Sequence, residues 1–464
     1  MSFIVFPRQC RLDRNRNASV AEPAFPIRKL VIAAGLMLML AACGGDNAGS
    51  NTDGNTHDAA DNNVDGAPGD NFNGDAVVQR FGTRTVRELN PQSDAGTESQ
   101  IIEGFNNLSL QLLREQSESA AGQNTINSGY SLAVALSMLQ RGTANGDLNV
   151  IQQLLGISTI DESALYSAIN AIDLDLESRS NEGLELRSAN QLFVKPGFAL
   201  ETDFLDVMTA DFNAPIADAD FQQAPEAVRE AINEWAADNT NDLIPELLSQ
   251  PLPANTVLAL LNATLLDAKW RQTFTDVDQH EFTNASGQQQ MVPGFAETDN
   301  FQYLETDDAL SVAIEYEGSQ VSLMIIVPND VETYSANLTT AKISQRHTNS
   351  QSTFLALSVP NWEIESSIDF TQLPMTGSLV DRMLNMTRMS ADPTCCEITS
   401  FKQQAAIEVD KDGTRAAAVT SIGVGVTSVQ IPEPQIVRID RPFLYFIRDE
   451  PTGLILFSGQ VLSL

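Results

Sequence analysis

The sequence predicts an α+β fold, on three observations. Helical periodicity dominates the first half of the chain's body, short apolar strands dominate the second, and the two do not alternate as a doubly wound sheet would require. The 464-residue chain is 42% hydrophobic and 19% charged, enough apolar surface for a large core. Length alone suggests roughly three domains, a prior that one large mixed-sheet domain overrides. There is no internal repeat.

Taken in order, Glu98 to Gln116 carries Ile101, Ile102, Phe105, Leu108, Leu112 and Leu113 at the spacing of one helix face. Ser131 to Gln140 predicts a second helix, with Leu132, Ala135, Leu136 and Leu139 on one side and Arg141-Gly142 at its end. Leu148 to Leu155 predicts a third. Leu184 to Phe193 reads as a strand, and Ala224 to Asn239 as a helix built on Val228, Ile232 and Trp235. The almost continuous apolar run from Thr256 to Leu266 suits a central strand covered on both faces. Six short apolar segments follow, punctuated by Pro, Gly, Asn and Asp: 310–316, 320–327, 353–359, 401–409, 441–447 and 453–462.

The amino-terminal residues read differently. Arg28 and Lys29 precede an 11-residue apolar run, Leu30 to Leu40, too short to cross a bilayer but suited to the centre of a secretory signal. Leu40-Ala41-Ala42-Cys43 follows and resembles the bacterial lipobox, in which the cysteine thiol carries the lipid. Residues 1–42 are therefore expected to be a lipoprotein signal peptide, with Cys43 as the lipidation site; an ordinary cleaved signal or a short buried helix would show the same apolar run. The stretch before Arg28 is long for the charged region of a signal, which predicts a translation start downstream of Met1. Residues 44–75 hold seven Asp, no Lys or Arg and one aromatic, a composition that cannot offset its own ordering entropy. Residues 43–92 are expected to be a lipidated cysteine and an acidic, disordered tether, with His57 as solvated spacer, and residues 93–464 the folded domain.

Charge and composition exclude several functions. With 27 Lys plus Arg against 61 Asp plus Glu, the formal charge of −34 opposes nucleic-acid binding, which depends on clustered cations displacing counterions. Cys10 lies in the discarded segment, which leaves Cys395 and Cys396 either as a strained ring disulfide or as two thiols; with no His nearby they supply too few metal ligands. No metal or other cofactor is expected. His280 and His347 are outside any HExxH, and no G-x-S-x-G turn presents a serine. Gly423-Val-Gly425 lacks the third glycine and the Lys-Ser of a phosphate loop. A hydrolase with unrecognised residues is a residual reading; the chain is expected not to be an enzyme.

One segment stands apart. Residues 411–431 read KDGTRAAAVTSIGVGVTSVQI. Assigned to alternate faces, one side carries Thr414, Ala416, Ala418, Thr420, Ile422, Val424 and Val426. The other carries Arg415, Ala417, Val419, Ser421, Gly423, Gly425 and Thr427, so the only cation after Asp412 lies on the polar face. This is a latent strand with a buried face and a wet face, although an ordinary hairpin strand or a glycine-containing loop would carry the same pattern. Its surroundings decide. AIEVDKDGTRAAA (406–418) leads into it, and RPFLYFIR (441–448) and ILFSGQV (455–461) follow. Together these resemble the reactive-loop hinge and carboxyl-terminal signature of the serpins. SGYSLAVALSML (128–139), SANQLFV (188–194) and LNATLLDAKW (261–270) with Phe274 are similar to further serpin motifs, in the family's order, so the resemblance covers residues 98–464.

The resemblance implies a serpin fold of about nine helices and three β-sheets with an exposed reactive-centre loop. It implies suicide inhibition: a serine protease, or sometimes a cysteine protease, cuts the loop, forms an acyl-enzyme, and is carried away as the loop inserts into the main sheet. The hinge would be Gly413, Thr414, Arg415, Ala416, Ala417, Ala418, Val419 and Thr420. No proline lies between Gly413 and Ile431, so every N–H can join a new ladder. The family's interval from Gly413 places the scissile bond at Thr427-Ser428, with Val426-Thr427 and Val424-Gly425 as alternatives. A small or β-branched residue there suits elastase-like or subtilisin-like proteases. Ser128, Ser131, Asn262, Gln403 and Trp270 would form the shutter and breach that control sheet opening. Lys411 and Arg415 replace common glutamates, Gly129 a usual proline, and Gln403 a usual histidine. The implied molecule is a monomeric inhibitor held to a membrane through Cys43, outer-membrane anchored and facing the periplasm or the cell surface. The alternative is a non-inhibitory serpin-fold binding or carrier lipoprotein.

Overall fold

The structure is a computed structural model and describes residues 31–41, 79–80, 82–120, 122–380, 382–392, 396–413 and 433–464. In chain order, β1 (Val31–Ala41) and β2 (Gln79–Arg80) precede α1 (Ala95–Ser119), β3 (Thr125–Asn127), α2 (Gly129–Gly142), α3 (Asn145–Leu155), α4 (Glu162–Glu177) and β4 (Leu184–Val194). Then come α5 (Thr202–Ala210), β5 (Ile216–Asp218), α6 (Pro225–Asn239), β6 (Thr256–Ala268), β7 (Thr275–Thr283), β8 (Gln289–Glu305), β9 (Ala309–Glu315) and β10 (Val321–Pro328). The chain continues through α7 (Val331–Ala336), α8 (Thr340–Asn349), β11 (Gln351–Pro360), β12 (Trp362–Asp369), β13 (Glu397–Val409), β14 (Gln435–Arg438), β15 (Phe443–Asp449) and β16 (Ile455–Val461).

Local chemistry starts most of the helices. Asp94, Ser128, Asp161, Asp330 and Thr339 each accept a first-turn N–H with the side chain, satisfying donors that have no partner within the helix. These five caps open α1, α2, α4, α7 and α8.

Sheet A has the order β12-β13-β1-β6-β4-β5-β2. The remaining strands form a second hydrogen-bonded path, β14-β11-β8-β9-β10-β15-β16-β3, with β7 beside β8. The 17-residue β8 is shared. Its earlier part pairs with β7 and β11, and its last residues pair with β9, so the path divides into a sheet C and a sheet B. The expected three sheets are therefore present. Among the described residues there are eight α-helices and two 3-10 turns, Phe370–Gln372 and Pro374–Thr376.

Helix α2 is the centre of the molecule. Thirteen of its 14 residues are buried because it is sandwiched between sheet A, at β6 and β1, and strand β16 of sheet B. On the far face of sheet A, Val228, Ile232 and Trp235 of α6 close a second apolar layer over Phe193, Ala259 and Leu261. A third cluster seals sheet B against α1, α7 and α8 through Leu110, Leu113, Met324, Ile326, Tyr334, Ile343, Leu444 and Phe446.

Two amino-terminal pieces lie on the body. Residues 82–92, which composition places in the tether, run along α4 and α5. Asp206 accepts the N–H groups of Thr83 and Arg84 at 2.6 and 2.8 Å, and Arg87 pairs with Asp173 and Glu177, both at 2.7 Å. Residues 31–41, which the leader pattern sets aside from folding, form a strand in the middle of sheet A. Without β1 and β2, sheet A is the five strands β12, β13, β6, β4 and β5.

Candidate functional site

The centre of sheet A is latched by polar side chains reaching from α2. Ser128 caps α2, accepting the Ser131 N–H at 3.1 Å while its hydroxyl donates to the Leu456 carbonyl on β16 at 2.7 Å. Gln403 on β13 grips the same residue's backbone from both sides: Oε1 accepts the Ser128 N–H and Nε2 donates to the Ser128 carbonyl, each at 3.0 Å. The Ser131 hydroxyl donates to Asn262 Oδ1 on β6, and Asn262 Nδ2 donates to Asn190 Oδ1 on β4 at 2.7 Å. Asn190 in turn donates to the Phe212 carbonyl at 2.8 Å, beyond the end of α5. Ser128, Ser131, Asn262 and Gln403 are all fully buried, so each of these bonds replaces one that water would otherwise make.

This arrangement brings together four of the five shutter and breach residues expected from sequence. The glutamine in place of histidine meets both groups of the Ser128 backbone because an amide donates and accepts at once. Gly129 also has a physical reason. A Cβ there would lie 2.1 Å from Ser109 Oγ and 2.5 Å from its Cα, so α1 and α2 approach too closely at this point for any side chain.

At the top of the sheet, Trp270 ends the chain segment that follows β6. Its ring stacks on Tyr316 with centroids 4.5 Å apart, and its indole N–H donates to the Asp410 carbonyl at 2.7 Å. Asp410 begins the turn that leaves β13. Its carboxylate accepts the Asp412 N–H at 2.9 Å, and burial holds its pKa above the ordinary range. Lys411 makes an ion pair with Asp276 of β7 at 2.9 Å, which accounts for a cation where the family commonly has glutamate and raises the lysine pKa. Gly413 closes the turn at φ +64°, and a Cβ on it would lie 2.2 Å from the Trp270 nitrogen. Glycine is required there by conformation and by space together.

Of the sequence-predicted residues, Gly413, Ser128, Ser131, Asn262, Gln403 and Trp270 are placed in this way. Cys43, the hinge residues Thr414, Arg415, Ala416, Ala417, Ala418, Val419 and Thr420, and the bond Thr427-Ser428 lie outside the described residues, as does Cys395. Cys396 is disulfide-bonded. Sequence reasoning did not assign roles to Asn190, Asp410 or Asp276. Asn190 had a signal, being a polar residue inside an apolar strand, whereas Asp276 is one carboxylate among many. No group of His, Cys, Asp and Glu among the described residues could hold a metal ion.

Comparison with known proteins decides the family. The family model "Serpin (serine protease inhibitor)" matches residues 103–464. The chain is a serpin. An uncharacterized serpin-like protein of Thermococcus kodakarensis is 27% identical over 374 residues, covering 79% of this chain and 87% of the relative. The thermophilic serpin tengpin in its native state matches in fold with a TM-score of 0.70 at 24% identity, over 83% of this chain and all of that one. Human thyroxine-binding globulin complexed with its hormone matches at a TM-score of 0.69 and 18% identity, over 79% and 99%. This serpin shares its architecture with both of these solved structures.

Proposed function

We propose that this serpin is a suicide inhibitor of serine proteases of elastase-like or subtilisin-like specificity, acting through cleavage at Thr427-Ser428 and insertion of the cut loop into sheet A. The observation that carries the reading is the relation of Gly413 to the sheet. Gly413 lies at the end of β13 and against the Trp270 backbone, at the mouth of the interval between β13 and β6. Those two strands are not paired with each other; both are antiparallel to a strand between them. A loop that leaves β13 and reverses at Gly413 has the direction needed to enter that interval.

The loop's chemistry supports the same reading. Thr414, Ala416, Ala418 and Thr420 are small and neutral on the side that would face inward, and Arg415 falls on the other. A charge on the inward side would cost several kcal/mol and oppose insertion. No Lys or Arg lies near the cut, which disfavours trypsin-like targets.

In the same reading the protein is an exported lipoprotein, held by a lipid on Cys43 and spaced from the membrane by the acidic residues 44–75. Incorporation of labelled fatty acid in a bacterial host that processes lipoproteins, lost on Cys43→Ser, is the expected result; label retained in the variant would contradict it.

The inhibitory reading is tested by incubating residues 43–464 with an elastase-like and a subtilisin-like protease. A denaturant-resistant adduct with a mass-spectrometric cut after Thr427 is expected. Turnover of the loop with no adduct would reject inhibition and favour the carrier alternative.

A further inference from the structure

The interval that a cut loop would enter is filled, and by the opposite end of the chain. We infer that the leader segment Val31–Ala41 is an internal ligand of the slot between β6 and β13, so that a chain retaining it is closed to loop insertion and becomes an inhibitor only without it. The inference rests on the inhibitor reading above for its consequence, but not for the occupancy itself.

Four observations carry it. First, β1 is paired on both sides along nearly its whole length: Val31 to Ala41 with Asp267 to Thr256 of β6, and Ile32 to Ala41 with Ile407 to Glu397 of β13. It thereby occupies the backbone donors and acceptors of both flanking strands, which a second strand could not share.

Second, the direction is that of the competitor. β1 starts at the Asp267 end, just below Trp270, and runs antiparallel to β13, as a loop reversing at Gly413 must also do. The two candidates would enter the same rows from the same end.

Third, the segment fits chemically. Residues 31–41 contain no proline and no charge. Met37 and Met39 are 1% and 5% exposed and join the apolar layer beneath Val228, Ile232 and Trp235 of α6.

Fourth, the latch is fully made with the slot filled. The backbone of Leu36 stands opposite Asn262 on one side and Gln403 on the other, while Gln403 keeps both bonds to Ser128 and Asn262 keeps its bonds to Ser131 and Asn190. An occupied slot therefore leaves the shutter's polar groups satisfied, and nothing in the polar network drives the leader out.

The ligand class this assigns to the slot is a neutral, proline-free apolar strand, and the leader and the reactive loop are two rival examples within one chain. A leader with this property would keep an unprocessed chain from acting on proteases before export.

The test uses the full chain synthesised cell-free without membranes, so that residues 1–42 are retained, beside residues 43–464. In hydrogen exchange, amides of residues 31–41 are expected to be slowed at least ~100-fold relative to an unstructured chain, and the full chain is expected to give no protease adduct while residues 43–464 do. Met37→Asp in the full chain places a carboxylate in the apolar layer; it should strip the protection and restore the adduct. The body folds without this segment on the inhibitor reading, so the variant tests expulsion rather than folding. Rapid exchange throughout residues 31–41 in the full chain would overturn the inference, whatever the inhibition result. Protection at residues 31–41 with no adduct from residues 43–464 would instead uphold the occupancy and reject the inhibitor reading alone.

Discussion

The centres of sheets A and B are buried to the same depth and built from opposite chemistry. Across the β10/β15 junction of sheet B, Leu323, Met324, Ile325 and Ile326 face Ile447, Phe446, Tyr445 and Leu444. The side chains in those rows are apolar except for the Tyr445 hydroxyl, which donates to the Thr125 carbonyl at 2.9 Å. At the same depth in sheet A, the row of Leu36 has Asn262 on one side and Gln403 on the other, and both amides are engaged by α2. A seam sealed by hydrophobic packing loses its full transfer energy when parted. A seam latched by directional polar bonds can exchange the strand between its flanks while the latch holds. On the inhibitory reading, the difference assigns sheet B the part of scaffold and sheet A the part that moves.

The comparison is broken most severely on the scaffold side. Phe446→Ala, at a fully buried position in sheet B, is expected to cost about 3–5 kcal/mol. Urea midpoints should fall by the same free energy in intact and loop-cleaved protein, because the scaffold is common to both. A loss confined to one form would place sheet B among the moving parts.

Asn262→Ala is expected to cost about 1–3 kcal/mol, since it leaves Ser131 and Asn190 buried without their partner. The loss in melting temperature should now differ between the intact and cut forms, because a strand stands between Asn262 and Gln403 only when the slot is filled. Equal losses would show that the latch is ordinary core.

Gly413→Ala imposes about 1–2 kcal/mol from the left-handed conformation alone, with the contact to the Trp270 backbone in addition. Its expected signature is kinetic: a larger fraction of loop cleavage ends in turnover rather than adduct, read as the amount of serpin consumed per protease trapped. An unchanged ratio would remove Gly413 from the hinge.

The smallest effect is a pH dependence at the far end of the loop. His280 is 3% exposed, with Nδ1 2.8 Å from the Ser358 hydroxyl and Nε2 2.9 Å from the Ile439 carbonyl, just beyond β14. Burial lowers its pKa, against the raising effects of the Ile439 carbonyl and Asp440. A lowered histidine pKa means that the unfolded chain takes up the proton first as pH falls. The contribution is therefore complete above about pH 6.5 and declines below it. His280→Gln should flatten that part of the profile of urea midpoint against pH; an unchanged slope would assign the dependence to other groups.

The periodic elements were legible in the sequence. The apolar face of residues 98–116 and the apolar run 256–266 became α1 and β6 with ends extended by a few residues, because caps and strand ends carry little hydrophobic signal. Elements that work by one-sided or mixed burial were not. β8 alternates exposed, half-buried and buried residues over Gln289–Glu305 as it passes from sheet C to sheet B, and it has no single period to detect. Helices α4 and α5 were likewise missed, their apolar positions being diluted by Asp, Ser and Thr. For the site, motif resemblance named Ser128, Asn262, Gln403 and Trp270, but their bonding could not be read from spacing. Asn190, Asp410 and Asp276 join them only through the fold. The leader posed the opposite problem. Its apolar run was visible, yet the same pattern that suits a signal also suits a buried central strand, and its register with β6 and β13 comes from the fold alone.

Differential melting of residues 43–464, intact and after a single cut in the 414–431 loop, is the most direct trial of an empty, fillable seam at the centre of sheet A. The cut protein is expected to melt well above the intact one, its freed strand having closed the gap between β6 and β13. A cut protein that melts at the same temperature or lower would mean that the gap accepts no loop, and the inhibitory mechanism would fall with it.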